Sequence, residues 1–345
     1  MMADRSGERI LVLGAGNFGT CLAQHLAEKG YRVTLWTRDE AQARAINETR
    51  RNPLYLSGIT LSSRITATHV ADAALLEQTS VVLQVIPTQG MREALTPLKQ
   101  WWRKDLLLVC AAKGIELGTM ELPGGIIAGV LGKDVADRSV FLSGPSFASE
   151  VAARQPTCVV AASRDSGRAQ WAQELLHAPH FRVYTSDDPI GLEVAGALKN
   201  VVAIAAGATV GIGFQMNSRA ALITRGLAEM TRVGVALGAN PITFQGLGGV
   251  GDLFLTCTSE KSRNFTVGYR LGRGEALAEV LQSVGSVAEG VSTTEAAYKL
   301  AEKLQVDAPI ITEVWRCLYE QKPIAQAVMD LLTREAKAEF RGIQG

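Results

Sequence analysis

Arg9-Ile10-Leu11-Val12-Leu13-Gly14-Ala15-Gly16-Asn17-Phe18-Gly19 is an apolar run of strand length that ends in G-x-G-x-x-G. An apolar-periodic stretch with Cys21, Leu22 and Leu26 follows it. A strand that turns sharply into a helix uses such glycines for separate reasons. The first permits the tight turn, the second lets a pyrophosphate approach the backbone, and the third lets the helix close on the strand. The new helix then offers unbonded N–H groups and its positive dipole end to an anion. Gly14, Gly16 and Gly19 are therefore expected to hold a dinucleotide.

Outward from this turn, the first half alternates short apolar runs with helical patterns. Residues 10–13, 32–36, 80–86, 106–111, 140–142, 158–161 and 181–184 read as strands. Apolar runs of that length between helices predict a parallel, doubly wound sheet buried on both faces. After Asp187-Asp188-Pro189 the pattern changes to long 3.6-residue periodicity over 192–213, 217–237, 265–273, 277–283, 293–304, 310–320 and 324–338. The second half is thus expected to be all-helical, with domains at 1–190 and 191–345. Substrate-handling residues are expected from both halves, because ligands of such sheets lie at the carboxyl ends of the strands.

A chain of 345 residues is long for a single core, which agrees with two domains. It is 47% hydrophobic with a net charge of +1, so no global field favours nucleic acid or an anionic membrane. An anionic substrate must be held by local charges. Five scattered cysteines and four histidines form no metal-ligand spacing, so no metal is expected. The N-terminus is charged and lacks an apolar leader, and the apolar stretch 201–214 is short for a membrane span, so the chain reads as cytoplasmic.

The second strand ends Leu35-Trp36-Thr37-Arg38-Asp39. An acidic residue here usually bonds a ribose 2′-hydroxyl, whereas a guanidinium suits a 2′-phosphate. Arg38 therefore favours NADP, or tolerance of both NADP and NAD, since Asp39 one residue further on could still reach a 2′-hydroxyl; the bland alternative is a solvated loop arginine.

Chemistry is expected at Lys113, at Ser143-Gly144-Pro145-Ser146-Phe147-Ala148, at Lys199, and at Gly246–Asp252 continuing to Thr256 and Ser262-Arg263-Asn264. Lys199 is the only charged residue between Ala195 and Ala208. Burial of such a lysine disfavours its charged form, and a neighbouring ammonium such as Lys113 adds to the effect. A lysine tuned in this way can exchange a proton with an alcohol or ketone near neutral pH. The bland alternative is a lysine that reaches solvent or pairs with Glu193. Arg263, with Ser262 and Asn264, suits a phosphate or carboxylate. Asp252 either orients a lysine or caps a helix.

These motifs together resemble the bacterial-type NAD(P)-dependent glycerol-3-phosphate dehydrogenases. The resemblance also takes in Ala221-Leu222-Ile223-Thr224-Arg225-Gly226, Leu255-Thr256-Cys257-Thr258 and Glu289-Gly290, and runs from about Ile10 to Leu332. It implies a Rossmann-type domain followed by an all-α domain like the C-terminal domain of 6-phosphogluconate dehydrogenase. It implies reversible reduction of dihydroxyacetone phosphate to sn-glycerol 3-phosphate for phospholipid synthesis, in a cytoplasmic homodimer. By the resemblance Lys199 is the proton carrier, supported by Lys113 and Asp252. Substrate contacts fall to Lys113, Gly144, Ser146, Asp252, Ser262, Arg263 and Asn264. Cofactor contacts fall to Asn17, Phe18, Arg38, Lys113, Ala148, Arg263, Val287 and Glu289, beside the glycine turn. Two rival readings share many of these residues: a reductase of hydroxy acids on the same two-domain plan, and a dinucleotide sensor without catalysis.

Overall fold

The computed structural model describes residues 8–284, 288–336 and 338–339. The chain forms two compact units, one from the chain up to Ala112 with Pro123–Pro189, the other from Lys113–Leu122 with the chain from Ile190 onward.

The first unit is built on an eight-stranded sheet with strands β1 (Arg9–Leu13), β2 (Arg32–Trp36), β3 (Ile65–Thr68), β4 (Val81–Gln84), β5 (Leu107–Cys110), β6 (Val140–Ser143), β7 (Thr157–Ala162) and β8 (Phe181–Ser186). Their order is β3-β2-β1-β4-β5-β6-β7-β8, with the chain reversing direction across the sheet between β1 and β4. β4, β5 and β6 are buried at every residue, which is why they read as apolar runs rather than alternating ones, with Gln84 and Ser143 at the ends of β4 and β6. Helix Asn17–Glu28 lays Leu22, Ala23, Leu26 and Ala27 against Val12, Val33 and Leu35 in the same core.

Two features depart from the sequence reading. β3 is a short edge strand, Ile-Thr-Ala-Thr, pairing Val33 with Ile65 and Trp36 with Thr68. Four residues with two threonines carry too little apolar periodicity to announce a strand. The sheet is also mixed rather than wholly parallel: β6 and β7 run antiparallel, with Ser143 opposite Val160. Gly144, at φ +135°, begins that return, and a Cβ there would lie 2.9 Å from the Val159 Cα. The remaining neighbours, β7–β8 included, are parallel.

The second unit is helical. Helix Pro189–Gly211 runs through it, surrounded by Met216–Ala236, Arg263–Gly272, Glu289–Lys303, Pro309–Tyr319 and Ile324–Leu332. This central helix is longer than the expected apolar stretch and begins earlier, at Pro189. Its length and hydropathy match a membrane span, but 83% of the most apolar window is buried by its own neighbours. Close approach explains two of its glycines: a Cβ on Gly207 would sit 2.0 Å from the Phe265 carbonyl oxygen, and one on Gly211 2.3 Å from that of Tyr269. Ile115, from the Lys113–Leu122 segment, is 1% exposed in this core. That segment precedes the expected junction at 190, yet it belongs to the helical unit.

The glycine-rich turn expected before Asp252 is more ordered than a turn. Pro241–Gln245 forms a tight helical turn, Leu247–Gly251 a wider one, and Asp252–Thr258 a helix. Gly249 fits because a Cβ there would lie 2.1 Å from the Phe244 carbonyl oxygen. The last helix ends at Leu332 rather than 338.

Candidate active site

In the second unit a buried charge cluster forms around Asp252. Asp252 is the first residue of its helix, with Gly251 in the cap position, so the carboxylate does not act as the expected cap. It points instead at two lysines. Lys199 Nζ donates to Asp252 Oδ1 at 2.6 Å and Lys113 Nζ to Oδ2 at 2.8 Å. Lys199 also donates to Thr256 Oγ1 at 3.1 Å, and Thr256 Oγ1 donates to the Asp252 carbonyl at 2.6 Å. The threonine proton is thereby directed away from Lys199, leaving an oxygen lone pair to receive the ammonium.

Lys199 is thus desolvated as expected, but it is paired, and with Asp252 rather than Glu193. Burial lowers its pKa to about 8; Asp252 opposes that effect and Lys113 reinforces it. Asp252 is held below the ordinary carboxylate range: its burial acts upward, but the two ammonium groups outweigh it. Two lysines facing one aspartate leave one net positive charge on the ionised cluster. An ammonium has three hydrogens. Asp252 and Thr256 take two of those on Lys199, leaving the third for another acceptor.

The same unit holds the expected anion residues. Ser262 caps helix Arg263–Gly272, its Oγ accepting from the Phe265 N–H at 3.2 Å. Arg263 is the first residue of that helix and is exposed, whereas Ser262 and Asn264 are buried. Ser-Arg-Asn thus stands at a helix N-terminus, whose dipole favours an anion. Asn264 Oδ1 accepts from the Gly290 N–H at 3.0 Å, which fixes its amide and brings in the start of helix Glu289–Lys303. Glu289, the first residue of that helix, adjoins Gly290 in the chain and is half-buried. Val287 lies outside the described residues.

In the first unit the glycine turn has the geometry the motif implies. Gly14 adopts φ +113°, and a Cβ would lie 3.1 Å from the Ile86 nitrogen. Gly19 lies under the carbonyl of Gly14, where a Cβ would come within 1.8 Å of that oxygen. Gly16 caps helix Asn17–Glu28 at φ −77°, and a Cβ there would meet no protein atom within 4 Å. Packing does not require glycine at 16. Asn17 is exposed on this turn and Phe18 leans on the core. Arg38 is exposed just beyond β2, while Asp39 Oδ1 accepts from the N–H groups of Ala41 and Gln42 as a helix cap. Gly144 follows β6; the Ser146 hydroxyl donates to its carbonyl at 3.0 Å, and Ala148 opens helix Ala148–Ala152. These turns fit a dinucleotide: an open glycine turn at a helix N-terminus suits its phosphates, and an exposed cation lies just beyond β2.

Sequence reasoning did not assign roles to Thr256 or Asn200. Thr256 stands four residues from Asp252 on one helix, a spacing that places both on one face. Asn200, next to Lys199, donates to the Lys113 carbonyl at 3.3 Å and so ties the two lysine-bearing segments together.

Comparison with known proteins bears on both units. The family described as NAD-dependent glycerol-3-phosphate dehydrogenase N-terminus matches residues 9–169, and its C-terminus counterpart matches residues 188–329. The chain is similar to a protein named glycerol-3-phosphate dehydrogenase [NAD(P)+] from Geobacter metallireducens, 50% identical over 96% of this chain and 99% of that one. A protein of the same name from Limosilactobacillus reuteri is 46% identical over 96% of this chain and 99% of that one. Among solved structures, the glycerol-3-phosphate dehydrogenase of Coxiella burnetii superposes with a TM-score of 0.90 at 37% identity, covering 95% of this chain and 100% of that one.

Proposed function

The chain belongs to the NAD(P)-dependent glycerol-3-phosphate dehydrogenases, and from that premise we propose how its residues divide the work. The enzyme interconverts dihydroxyacetone phosphate and sn-glycerol 3-phosphate. When bound, the nicotinamide supplies the hydride for C2 of the ketone or receives it back from the alcohol.

Lys199 handles the proton. In reduction its ammonium donates to the ketone oxygen as negative charge builds there, through the hydrogen not taken by Asp252 or Thr256. Lys199 is left neutral and regains its proton from water. Lys113 adds positive potential at the same oxygen, and Asp252 keeps both lysines in place. Arg263, Ser262 and Asn264, at the head of helix Arg263–Gly272, hold the substrate phosphate by charge and helix dipole. Gly144 and Ser146 complete the substrate contacts. Gly14, Gly16, Asn17, Phe18, Gly19, Ala148 and Glu289 serve the dinucleotide. The observation that carries this reading is the buried Lys113–Asp252–Lys199 cluster.

NADPH is the preferred coenzyme in this reading. Asp39 is occupied in capping helix Glu40–Thr49, so Arg38 is the charged group left to meet the 2′ position. The reading also includes a homodimer, supported by apolar side chains left at the surface of the helical unit: Met216, Ile242, Phe254 and Leu332.

Initial rates test the assignment. Dihydroxyacetone phosphate should be turned over at least about a hundredfold better than simple keto acids, and Arg38→Ala should cut the NADPH-over-NADH preference about tenfold or more, the scale of one charged hydrogen bond. A hundredfold preference for a keto acid would refute the substrate assignment, and an unchanged ratio in Arg38→Ala would refute the coenzyme one.

A further inference from the structure

A closed polar network lies beneath the glycine turn and takes no part in the chemistry described so far. Thr20, Thr37, Gln42 and Asn52 are all buried, and Asn52 is 0% exposed. The Ala15 carbonyl accepts from Asn52 Nδ2 at 2.9 Å and from Gln42 Nε2 at 3.0 Å. The second hydrogen of Asn52 goes to Thr20 Oγ1 at 2.8 Å, and that of Gln42 to Asn52 Oδ1 at 3.1 Å. Gln42 Oε1 accepts from the Thr37 hydroxyl at 2.6 Å, and Thr37 Oγ1 accepts from the Asp39 N–H at 3.2 Å. Both amides are therefore oriented without ambiguity, since a carbonyl oxygen only accepts.

The consequence lies in the next peptide plane. In a trans peptide the C=O and the following N–H point in opposite directions, and this chain has no cis bond among its described residues. Donors that hold the Ala15 carbonyl inward must aim the Gly16 N–H outward. A Cβ at Gly16 would also meet no protein atom within 4 Å, so the protein leaves room at this residue. The network also reaches both places where the adenosine diphosphate half of a dinucleotide touches such a sheet: the glycine turn, and the end of β2 at Thr37 beside Arg38. Asn52 Oδ1 further accepts from the N–H groups of Leu54 and Tyr55, and Asn17 Oδ1 from that of Leu56, so the segment 52–56 is fastened to the turn.

We propose that Asn52 and Gln42 are positioning residues for the coenzyme, holding the Ala15 carbonyl so that the Gly16 amide faces the pyrophosphate. This rests on the reading of the glycine turn as the pyrophosphate site. The network spends its hydrogen bonds on one carbonyl because a buried amide pair makes a stiff support. An enzyme whose turn had to reorganise on binding would bind the pyrophosphate more weakly.

Direct binding tests this. Dissociation constants of adenosine diphosphate and of adenosine are measured by displacement of NADH fluorescence in the full chain, its Asn52→Asp variant and its Gln42→Met variant. Asn52→Asp keeps volume and the Oδ1 acceptor but sets an oxygen against the Ala15 carbonyl. It should weaken adenosine diphosphate about tenfold or more, and Gln42→Met about two- to tenfold, the range for one net hydrogen bond. Adenosine, which lacks the pyrophosphate, should change less than about twofold, as should KM for dihydroxyacetone phosphate. An equilibrium between folded and unfolded chain weakens adenosine and adenosine diphosphate alike, and Gln42→Met, which adds no charge beside the pyrophosphate, decides the matter where Asn52→Asp does not fold or repels the anion by its charge. Unchanged adenosine diphosphate binding in a folded variant overturns the proposal while leaving the glycine turn as the site. Equal weakening of adenosine and adenosine diphosphate overturns it in favour of a general structural role. Failure of the unaltered chain to bind adenosine diphosphate overturns the reading of the turn and this proposal together.

Discussion

Burial pulls the Lys199 ammonium toward neutrality, Asp252 opposes this, and Lys113 adds to the pull; the balance lowers the pKa to about 8. That value sets the sign of the pH dependence. With Lys199 as the proposed proton carrier, reduction needs the ammonium, so its rate should fall as pH rises through about 8; oxidation needs the free amine and should rise through the same point. Asp252 stabilises the charged form, so Asp252→Asn should move both inflections to lower pH. Lys199→Ala should keep coenzyme binding and lose about a thousandfold or more in turnover. Rates in both directions across pH check all three, and a Lys199→Ala enzyme with full turnover would remove the lysine from the mechanism. Lys199 itself was legible in the sequence as a lone charge in an apolar helix. Its partner was not: Asp252 is far away in the chain, and its local signal, an acidic residue after glycine, reads as a cap.

At the scale of the element, the first two glycines of the turn differ in their surroundings. Gly14 has a backbone angle that L side chains rarely adopt, and its Cβ position is crowded by Ile86. Gly16 has an ordinary φ of −77° and open space. Gly14→Ala should therefore lower the melting temperature, with strain of about 1–3 kcal/mol. Gly16→Ala should melt within the small range of a surface change, about 0.5 kcal/mol, while weakening NADH binding about tenfold or more. Thermal melts beside NADH titrations distinguish the two, and a Gly16→Ala chain that binds NADH normally would mean that no ligand approaches the turn there. The strand–turn–helix was readable because its strand is buried on both faces and its glycines lie at fixed spacing. β3 escaped notice because an edge strand of four residues needs only one buried face, and the antiparallel course of β7 is written in no local pattern. Strand direction follows from which neighbour the chain finds, not from its own alternation.

At the scale of the whole molecule, each unit has its own hydrophobic core, and the helical unit leaves Met216, Ile242, Phe254 and Leu332 more than half exposed. A homodimer would cover part of that surface, and sedimentation should return about twice the 36.8 kDa chain mass. A species of single-chain mass at micromolar concentration would reject the dimer. The sequence alone determined the class of each half and the glycine turn, and singled out Lys199 as an isolated charge, because periodicity, turn residues and isolated charges are local properties. Tertiary structure alone decided that Lys113 and Lys199 share Asp252, that residues 113–122 belong with the helical unit, and that Asn52 and Gln42 meet at the Ala15 carbonyl. Those pairings join residues far apart in the chain. They exist because a buried charge or amide must find its partner in space, and folding rather than spacing determines which partner is in reach.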